Sequence, residues 1–424
     1  MIRLFSSSEY LSKIVIRHPE IVDQFLDPAE MLRKRAREEM QGELFSLIGE
    51  CGTYAERLDA LRKFKYTEEL HIGYNDILGN MDTMTASRSI SILADVSVAG
   101  ALRIAEEELR RIYGRPVCKT GGTEAQARFC ITGMGKIGGE EITYGSDLDI
   151  VFIYSGEGET QGGKSISNHE YFGHLAGKVM SVLTSMTREG TVFRVDVRLR
   201  PSGSKGPLCQ SIEAFAGYVK GHADLWEFQS LTRARVIAGD ESLGREFMTL
   251  SHQSLYEGPV RKGMAASIRA MRQRMEAEVS KEDSEYYDIK VGPGGIVDIE
   301  FMVQYLQLLH GSKHRGIRVT HTLLALESLH REGLLSKDRY LRLRRSYTFL
   351  RTLESRLRIV HNMPSHLLPR DPERLAPLAH RMGYQDTRRV SGAKRLIRNF
   401  EDLRKRVRGI FEEVLADNRN NRND

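Results

Sequence analysis

The feature that most constrains this fold is a run of glycines followed by two aspartates and a strand-like segment. It covers residues 133–154 and reads GMGKIGGEEITYGSDLDIVFIY. Because side chains alternate across a strand, Asp147 and Asp149 are expected on one face, with Leu148 and Ile150 in the core. Two adjacent carboxylates stay ionised only beside cations. The pattern therefore predicts Asp147 and Asp149 as ligands of a Mg²⁺ pair, about 3.5–4 Å apart, in a phosphoryl-transfer site.

A second strand-like run, residues 191–200, reads TVFRVDVRLR. Its alternation predicts one shared face for four charged side chains: Arg194, Asp196, Arg198 and Arg200. Asp196 is then the natural third metal ligand. Arg198 and Arg200 are predicted to contact a triphosphate and its leaving pyrophosphate. The alternatives are a turn with solvated acids for the aspartates and a salt-bridged strand face for the arginines.

The glycine run itself predicts a phosphate contact. Backbone amides near Gly135 can approach phosphate oxygens closely, and Lys136 can neutralise them. Ser146, directly before the first aspartate, is placed in the same nucleotide-binding group. The run does not match G-x-x-x-x-G-K-[ST], and a flexible hairpin is the alternative interpretation.

A second glycine cluster, residues 292–295, precedes an apolar helix start. Its amides could hold an anion, or the cluster could simply begin the helix. Asp298 and Glu300 are two residues apart and cannot share a helix face, so they are not predicted to bind metal.

The order of patterns predicts an α+β fold that is mostly helical. Residues 1–114 form an N-terminal helical region, 115–245 a small mixed-sheet core, and 246–424 a C-terminal helical bundle with no strand. Long helices are expected near 168–188, 336–361 and 388–416.

Composition restricts the class of protein. The chain has 424 residues, 28% of them charged, and a net charge of +6. This length is enough for two or three domains. A net charge of +6 over 424 residues is small for a nucleic-acid-binding protein, so nucleic-acid binding is not expected. Four scattered cysteines and the absence of a long apolar run predict a cytoplasmic protein without a membrane span.

At this point the motifs carry a family likeness. Gly135 and Lys136, then Asp147-x-Asp149, then Asp196 resemble the nucleotidyltransferase superfamily of DNA polymerase beta. More closely, the phrases VDVRLRPSGSKGPL, EFQSLTRARVIAGD, VGPGGIVDIEFMVQYLQL and LRTLESRLRIVHN resemble the glutamine synthetase adenylyltransferases over residues 1–415. The resemblance implies a polymerase-beta-like core, ATP as substrate, Mg²⁺ at the three aspartates, and phosphate contacts from Gly135, Lys136, Arg198 and Arg200.

Enzymes of that family carry two such halves, one attaching AMP to a tyrosine of glutamine synthetase and one removing it by phosphorolysis. This chain contains one half, which resembles the AMP-attaching, C-terminal half. The likeness implies glutamine synthetase as protein substrate and raises the PII signal protein as a further partner. The alternatives are the deadenylylating half, a catalytically silent module that binds nucleotide and partner, and a nucleic-acid polymerase.

Overall fold

The computed structural model describes residues 2–25, 32–120, 123–258, 263–360 and 365–417. It confirms the predicted α+β, mostly helical fold with small mixed sheets. The chain forms two compact units, Met1–Ser254 and Leu255–Asp424. The three-part division at residues 114 and 245 stays a prediction. Within the described ranges, no helix is long and apolar enough to cross a membrane.

Helices open the first unit, as the helix-period pattern predicted. They are α1 (Ile2–Ser7), α2 (Glu9–Arg17), a 3-10 helix (Pro19–Phe25), α3 (Arg37–Glu50), α4 (Tyr54–Leu78) and α5 (Thr83–Tyr113). Thr53 begins α4 with a capping box that it shares with Glu56, so each satisfies a backbone amide of the other. Helix α5 packs against α3, α4 and the sheet, which makes it the central helix of this unit.

A mixed sheet holds the predicted site. Its strands are β3 (Phe129–Gly133), β4 (Leu148–Tyr154), β6 (Val195–Asp196), β7 (Cys209–Ser211) and β8 (Arg235–Gly239). The order is β6-β4-β3-β8; β3 runs antiparallel to β4 and β8, whereas β6 and β7 both pair with β4 in parallel. The predicted strand at the two aspartates is confirmed as β4. Every residue of β4 except Asp149 is buried, so the strand anchors that carboxylate firmly.

A second, antiparallel sheet was not predicted. It has the order β2-β1-β5 and comprises β1 (Gly114–Thr120), β2 (Thr123–Gln126) and β5 (Gly158–Gly162). A short helix, α6 (Gly135–Gly138), follows β3, and α7 (Asn168–Thr184) matches the helix expected near 168–188. The chain continues through α8 (Ile212–Gly221), α9 (Leu225–Leu231) and α10 (Glu241–Tyr256).

The second unit is mainly helical. It contains α11 (Met264–Glu278), α12 (Ile296–His310), α13 (Thr322–Arg331), α14 (Lys337–Arg358), α15 (Pro372–Arg381) and α16 (Gly392–Asp417), with a 3-10 helix at Arg315–Ile317. The helices predicted near 336–361 and 388–416 correspond to α14 and α16. The prediction of no strand here was wrong, because β9 (Tyr286–Asp288) pairs antiparallel with β10 (Leu367–Pro369). Three residues per strand are too few to show a period-2 pattern.

The predicted strand at 191–200 was also wrong in extent. Only Val195 and Asp196 pair with β4. Immediately afterwards the backbone turns, with the Arg200 amide donating to the Val197 carbonyl at 3.3 Å. The alternation of charged and apolar residues therefore does not continue as a strand face beyond Asp196.

Candidate active site

The centre of the candidate site is a pair of carboxylates on neighbouring parallel strands. Asp149 of β4 lies in register with Asp196 of β6, and Leu148 with Val195. Adjacent strands lie about 4.8 Å apart, so the two acids stand side by side. Leu148 and Ile150 are fully buried, whereas Asp149 is half-buried. This is the alternation that the sequence predicted for β4.

Asp147 precedes β4 and lies at the surface. Its Oδ1 accepts a hydrogen bond from Arg194 Nε at 2.5 Å, and Arg194 also donates to the Gly145 carbonyl at 2.7 Å. About half of each side chain is exposed. An ion pair this exposed contributes only about 0–1 kcal/mol to stability. Either side chain can therefore leave the other and bind a ligand at little cost.

Asp196 is held by Arg198. The Arg198 Nε lies 3.0 and 2.9 Å from the two carboxylate oxygens, and its backbone amide donates to Oδ1 at 2.8 Å. These hydrogen bonds lower the pKa of Asp196 in spite of its partial burial. The carboxylate is therefore ionised over the whole physiological pH range, as a metal site requires.

The structure places Arg200 away from this pair. Its guanidinium donates to three carbonyls of the following turn, those of Val197, Ser204 and Gly206, at 2.7–3.1 Å. Arg200 therefore closes the turn after β6. Arg198, in contrast, contacts Asp196 directly.

The glycine turn lies against Asp149. The Met134 amide donates to the Asp149 carbonyl at 2.8 Å. Gly135 has a φ of +50°, and a Cβ at this position would lie 2.7 Å from Asp149 Oδ2. Only glycine combines this backbone conformation with such a close approach. Lys136 lies in the same short helix α6. Ser146 is buried, and its hydroxyl accepts a hydrogen bond from the Thr143 amide at 3.1 Å.

A buried ion pair packs against the glycine turn at Gly138 and Gly139. Arg233 and Glu141 pair with almost no solvent exposure. A Cβ on Gly138 would lie 1.7 Å from the Arg233 carbonyl, and one on Gly139 would meet the Arg233 guanidinium. These glycines let the turn pack directly against the segment before β8.

A second arginine ties the turn to the central helix. Arg235 donates to the carbonyls of Ile137 and Gly138 at 2.9 and 3.3 Å, and it forms a bidentate pair with Asp95 of α5 at 2.6 and 3.0 Å. Arg37 lies 3.5 Å from the same carboxylate. Sequence reasoning missed these positioning residues because Asp95 and Arg235 are 140 residues apart. The available signal was Asp95 itself, a lone acid in the apolar helical stretch ILADVSVAG.

In the described part of the chain, no group of three or more His, Cys, Asp or Glu side chains is arranged to hold a metal ion. Arg194 and Arg198 hold oxygens of Asp147 and Asp196. The donor chemistry nonetheless fits Mg²⁺, which prefers carboxylate oxygens, and the site already attracts positive charge. The metal-ligand set of Asp147, Asp149 and Asp196 stays a prediction.

Paired strand carboxylates beside a glycine turn match the nucleotidyltransferase class that the sequence predicted. Residues 1–250 match the family model described as glutamate-ammonia ligase adenylyltransferase, and the chain belongs to this family. Residues 262–415 match a different model, described as GlnD PII-uridylyltransferase.

Three relatives are named bifunctional glutamine synthetase adenylyltransferase/adenylyl-removing enzymes. The protein of Thioalkalivibrio sulfidiphilus is 35% identical over 319 residues, covering 74% of this chain and 33% of that protein. The protein of Hahella chejuensis is 31% identical over 420 residues, covering 99% and 43%. That of Nitrosococcus oceani is 30% identical over 414 residues, covering 97% and 42%. The chain thus spans roughly two fifths of the length of these relatives.

Proposed function

We propose that this chain transfers AMP from ATP to a tyrosine of glutamine synthetase and releases pyrophosphate. The observation that carries the proposal is the register of Asp149 with Asp196 on neighbouring parallel strands, with Gly135 closely packed against Asp149. The names of the relatives and the family membership support the substrate.

Asp147, Asp149 and Asp196 would hold Mg²⁺. The ion supplies Lewis-acid stabilisation of the attacking and leaving oxygens when it is bound. Arg194 and Arg198 are exposed enough to release their carboxylates. The freed Arg198 guanidinium can then donate in a bidentate manner to phosphate oxygens, for which its planar fork is suited.

The remaining residues orient the triphosphate. Backbone amides at Gly135 can approach phosphate oxygens closely, and Lys136, beside them, supplies a positive charge. Ser146 lies one residue before Asp147 and is assigned to the same binding group. Arg200 is assigned to phosphate as well, which requires it to leave the carbonyls that it contacts here. The protein thus contributes positioning and charge, and no covalent enzyme intermediate is required.

The proposed setting is nitrogen metabolism in the cytoplasm, with ATP and glutamine synthetase as the substrates. The match of residues 262–415 to a PII-uridylyltransferase model supports the PII signal protein as a further partner. Membrane and nucleic-acid partners are not part of the proposal.

The second candidate is phosphorolytic removal of AMP from adenylylated glutamine synthetase. The names of the relatives favour keeping it, because each combines both activities. The same carboxylates would serve either direction. A catalytically silent module that binds nucleotide and partner is the third possibility.

The test is transfer of label from α-labelled ATP to purified glutamine synthetase with Mg²⁺. We expect Asp147→Asn and Asp149→Asn to abolish labelling while thermal unfolding stays nearly unchanged. Glu213→Gln, an exposed acid in the first turn of α8, is the matched control and should label normally. Full activity in either aspartate variant would contradict the proposed site.

A parallel assay sets the direction of the reaction. It measures phosphate-dependent release of ADP from AMP-tagged glutamine synthetase. Removal without attachment would reassign the chain to the deadenylylating activity. Binding of ATP and glutamine synthetase with neither reaction would establish the silent module.

A further inference from the structure

The strand pairing that places Asp196 beside Asp149 is short. Strand β6 has two residues, Val195 and Asp196, and its ladder with β4 comprises two residue pairs. The Arg194 carbonyl extends the pairing by accepting a hydrogen bond from the Leu148 amide at 2.9 Å. A slip of one residue would move Asp196 away from Asp149 and turn its side chain to the other face. A strand this short needs contacts outside the sheet to fix its register.

The segment before β6 is anchored to the end of α7. The amides of Val192 and Phe193 both donate to the Leu183 carbonyl, at 3.0 and 3.1 Å. Just upstream, the backbones of Thr187 and Gly190 exchange two hydrogen bonds of 3.0 Å, which close a tight turn. Only this turn separates α7 from β6, so the placement of the turn sets where β6 begins.

Arg62 of α4 holds the turn from one side. Its side chain is fully buried, and its Nε donates to the Gly190 carbonyl at 2.8 Å. Its Nη2 donates to the carbonyls of Val182 and Ser185, at the end of α7, at 3.1 and 2.6 Å. Its Nη1 donates to the Leu58 carbonyl of α4 at 2.8 Å. One planar guanidinium group thus joins α4, the end of α7 and the turn before β6 in a fixed geometry.

Tyr66, one helical turn after Arg62, holds the next residue of the turn. Its hydroxyl donates to the Thr191 carbonyl at 2.9 Å. Gly190 has a φ of +103°, and a Cβ there would lie 2.5 Å from the Tyr66 hydroxyl oxygen, so glycine is what lets the turn approach α4 this closely. Because Arg62 and Tyr66 are four residues apart, they share one face of α4 and bind consecutive carbonyls of the turn.

We propose that Arg62 and Tyr66 are positioning residues for the AMP transfer: by fixing the turn before β6, they hold β6 in the register that sets Asp196 beside Asp149. The inference rests on the proposed function for the reaction that this register serves. Hydrogen bonds are directional, so they fix the position of the chain along the strand axis, which apolar packing alone does not. The buried guanidinium cannot give up these carbonyls without a large desolvation cost.

The experiment compares Tyr66→Phe with Tyr54→Phe, the same substitution at the start of α4 and roughly 18 Å away along the helix. Hydrogen exchange, followed by mass spectrometry, is measured on the peptide that contains the Leu148 amide, which donates to the Arg194 carbonyl. We expect exchange about tenfold faster in Tyr66→Phe, because the pairing of β6 opens more often. Mn²⁺ binding in the presence of ATP, measured by electron paramagnetic resonance, should weaken about tenfold. Tyr54→Phe should match the wild type in both.

Two further variants separate positioning from stability. Arg62→Lys keeps the positive charge but loses the planar fork, so a folded Arg62→Lys should change exchange and Mn²⁺ binding at least as much as Tyr66→Phe does. Leu61→Val alters the neighbouring buried residue, which packs towards Gly100 of α5. It should lower the melting temperature while leaving exchange at Leu148 and Mn²⁺ binding unchanged.

The outcomes separate the positioning role from the proposed function. Faster exchange at Leu148 and weaker Mn²⁺ binding in Tyr66→Phe, with wild-type values in Tyr54→Phe, support the positioning role. Wild-type exchange at Leu148 in Tyr66→Phe overturns it, as does an equal change in Leu61→Val. The labelling of glutamine synthetase is scored apart from these measurements. A wild type that does not label, beside the expected exchange results, would overturn the proposed function and still support the control of register by Arg62 and Tyr66.

Discussion

Two glycine-rich turns, one in each unit, contain the same types of residue but differ in what those residues do. In the first unit, the turn at 133–139 lies beside Asp149, with Asp147 and Asp196 close by. In the second, the turn at 292–295 leads into α12, whose first turn carries Asp298. Both places combine glycines, carboxylates and arginines.

The difference is exposure. Asp298 and Arg272 form an ion pair with no exposed side-chain surface, and Arg408 lies 3.3 Å from the same carboxylate. Asp298 also accepts from the Gly294 amide at 2.8 Å. At the first turn, by contrast, Asp147 is 47% exposed and Arg198 is 78% exposed. The buried charges around Asp298 therefore stabilise the fold. The exposed carboxylates and arginines of the first turn can instead give up their ion pairs to bind a ligand.

The backbone of the second turn is committed as well. Arg272 donates to the carbonyls of Val291 and Gly292 at 2.6 and 3.0 Å, and Arg404 donates to that of Pro293 at 2.8 Å. The anion site considered for this turn from the sequence is thus replaced by an internal carboxylate. The comparison shows that residue types suggest a site, whereas burial decides whether it is available.

The largest expected effect is that of breaking the buried cluster. Asp298→Asn should lower the free energy of unfolding by about 3–5 kcal/mol, because it removes the closer acidic partner of the buried Arg272 and leaves only Glu276, 3.5 Å away. Urea unfolding followed by circular dichroism measures this. Glu300→Gln, two residues along the same helix and half-buried, is the control and should cost much less. Equal losses in the two variants would show that the buried ion pair of Asp298 is not the source of the loss.

The second prediction compares Gly135 in the first turn with Gly294 in the second, because both have a positive φ. A Cβ on Gly294 would lie 1.9 Å from the Arg404 carbonyl, so Gly294→Ala should cost about 2–3 kcal/mol of stability. A Cβ on Gly135 meets only the Asp149 carboxylate, so Gly135→Ala should cost about 1–2 kcal/mol through backbone strain. Gly135→Ala should also reduce AMP transfer, whereas a stability loss as large as that of Gly294→Ala would contradict this ranking.

The third prediction concerns the arginine behind the first turn. Arg235→Lys removes the fork that joins Asp95 to the carbonyls of Ile137 and Gly138. A misplaced turn should lower kcat/KM for ATP about tenfold, equivalent to about 1.4 kcal/mol. Steady-state kinetics at varied ATP measure this. Arg88→Gln, an exposed arginine of the same helix as Asp95, should leave the kinetics unchanged, and a normal Arg235→Lys would show that the fork does not position the turn.

The last prediction is a pH dependence of stability near the second turn, which appears only below about pH 4. Burial alone would raise the pKa of Asp288, but hydrogen bonds from His366 and from the amides of Val291 and Lys281 outweigh it and lower this pKa to about 2. A depressed carboxyl pKa stabilises the fold above the unfolded value near 4, and this stability is lost as pH falls from about 4 to about 2.

Asp288→Asn removes this dependence. We expect the wild type to lose about 1–2 kcal/mol more than the variant between pH 4 and pH 2, after allowance for solvent screening. Denaturant unfolding at several pH values measures the difference. Parallel pH profiles for the two proteins would show that Asp288 titrates normally.

The sequence predicted those parts of the fold that have a clear local pattern. The strand β4 contains an unbroken run of β-branched and aromatic residues, and the helices α7, α14 and α16 have apolar residues at helical spacing over many positions. The sheet of β1, β2 and β5 was missed because its strands contain glycine, proline and many polar residues. Strands β9 and β10 pair across about 80 residues of sequence, which no local pattern reports.

The candidate site shows the same limit. Alternation correctly placed Asp149 opposite the buried side of β4, and the pairing of β4 with β6 placed Asp196 beside it. The alternation of charged and apolar residues did not predict the turn after Asp196. That turn is held by hydrogen bonds from the Arg200 side chain to carbonyls of the following loop, and such contacts leave no periodic pattern in the sequence. The support from Arg233, Arg235 and Asp95 depends on long-range contacts, and its one signal in the sequence was Asp95, a lone acid in an apolar helical stretch.

The central claim is that the carboxylates of the first turn are available to a cation, whereas those of the second are not. The most direct measurement is binding of Mn²⁺ by electron paramagnetic resonance, in the presence of ATP, to the wild type, Asp149→Asn, Asp196→Asn and Asp298→Asn. We predict that Asp149→Asn and Asp196→Asn each weaken Mn²⁺ binding by about tenfold or more, and that folded Asp298→Asn binds as the wild type does. Unchanged Mn²⁺ binding in both Asp149→Asn and Asp196→Asn would contradict the account.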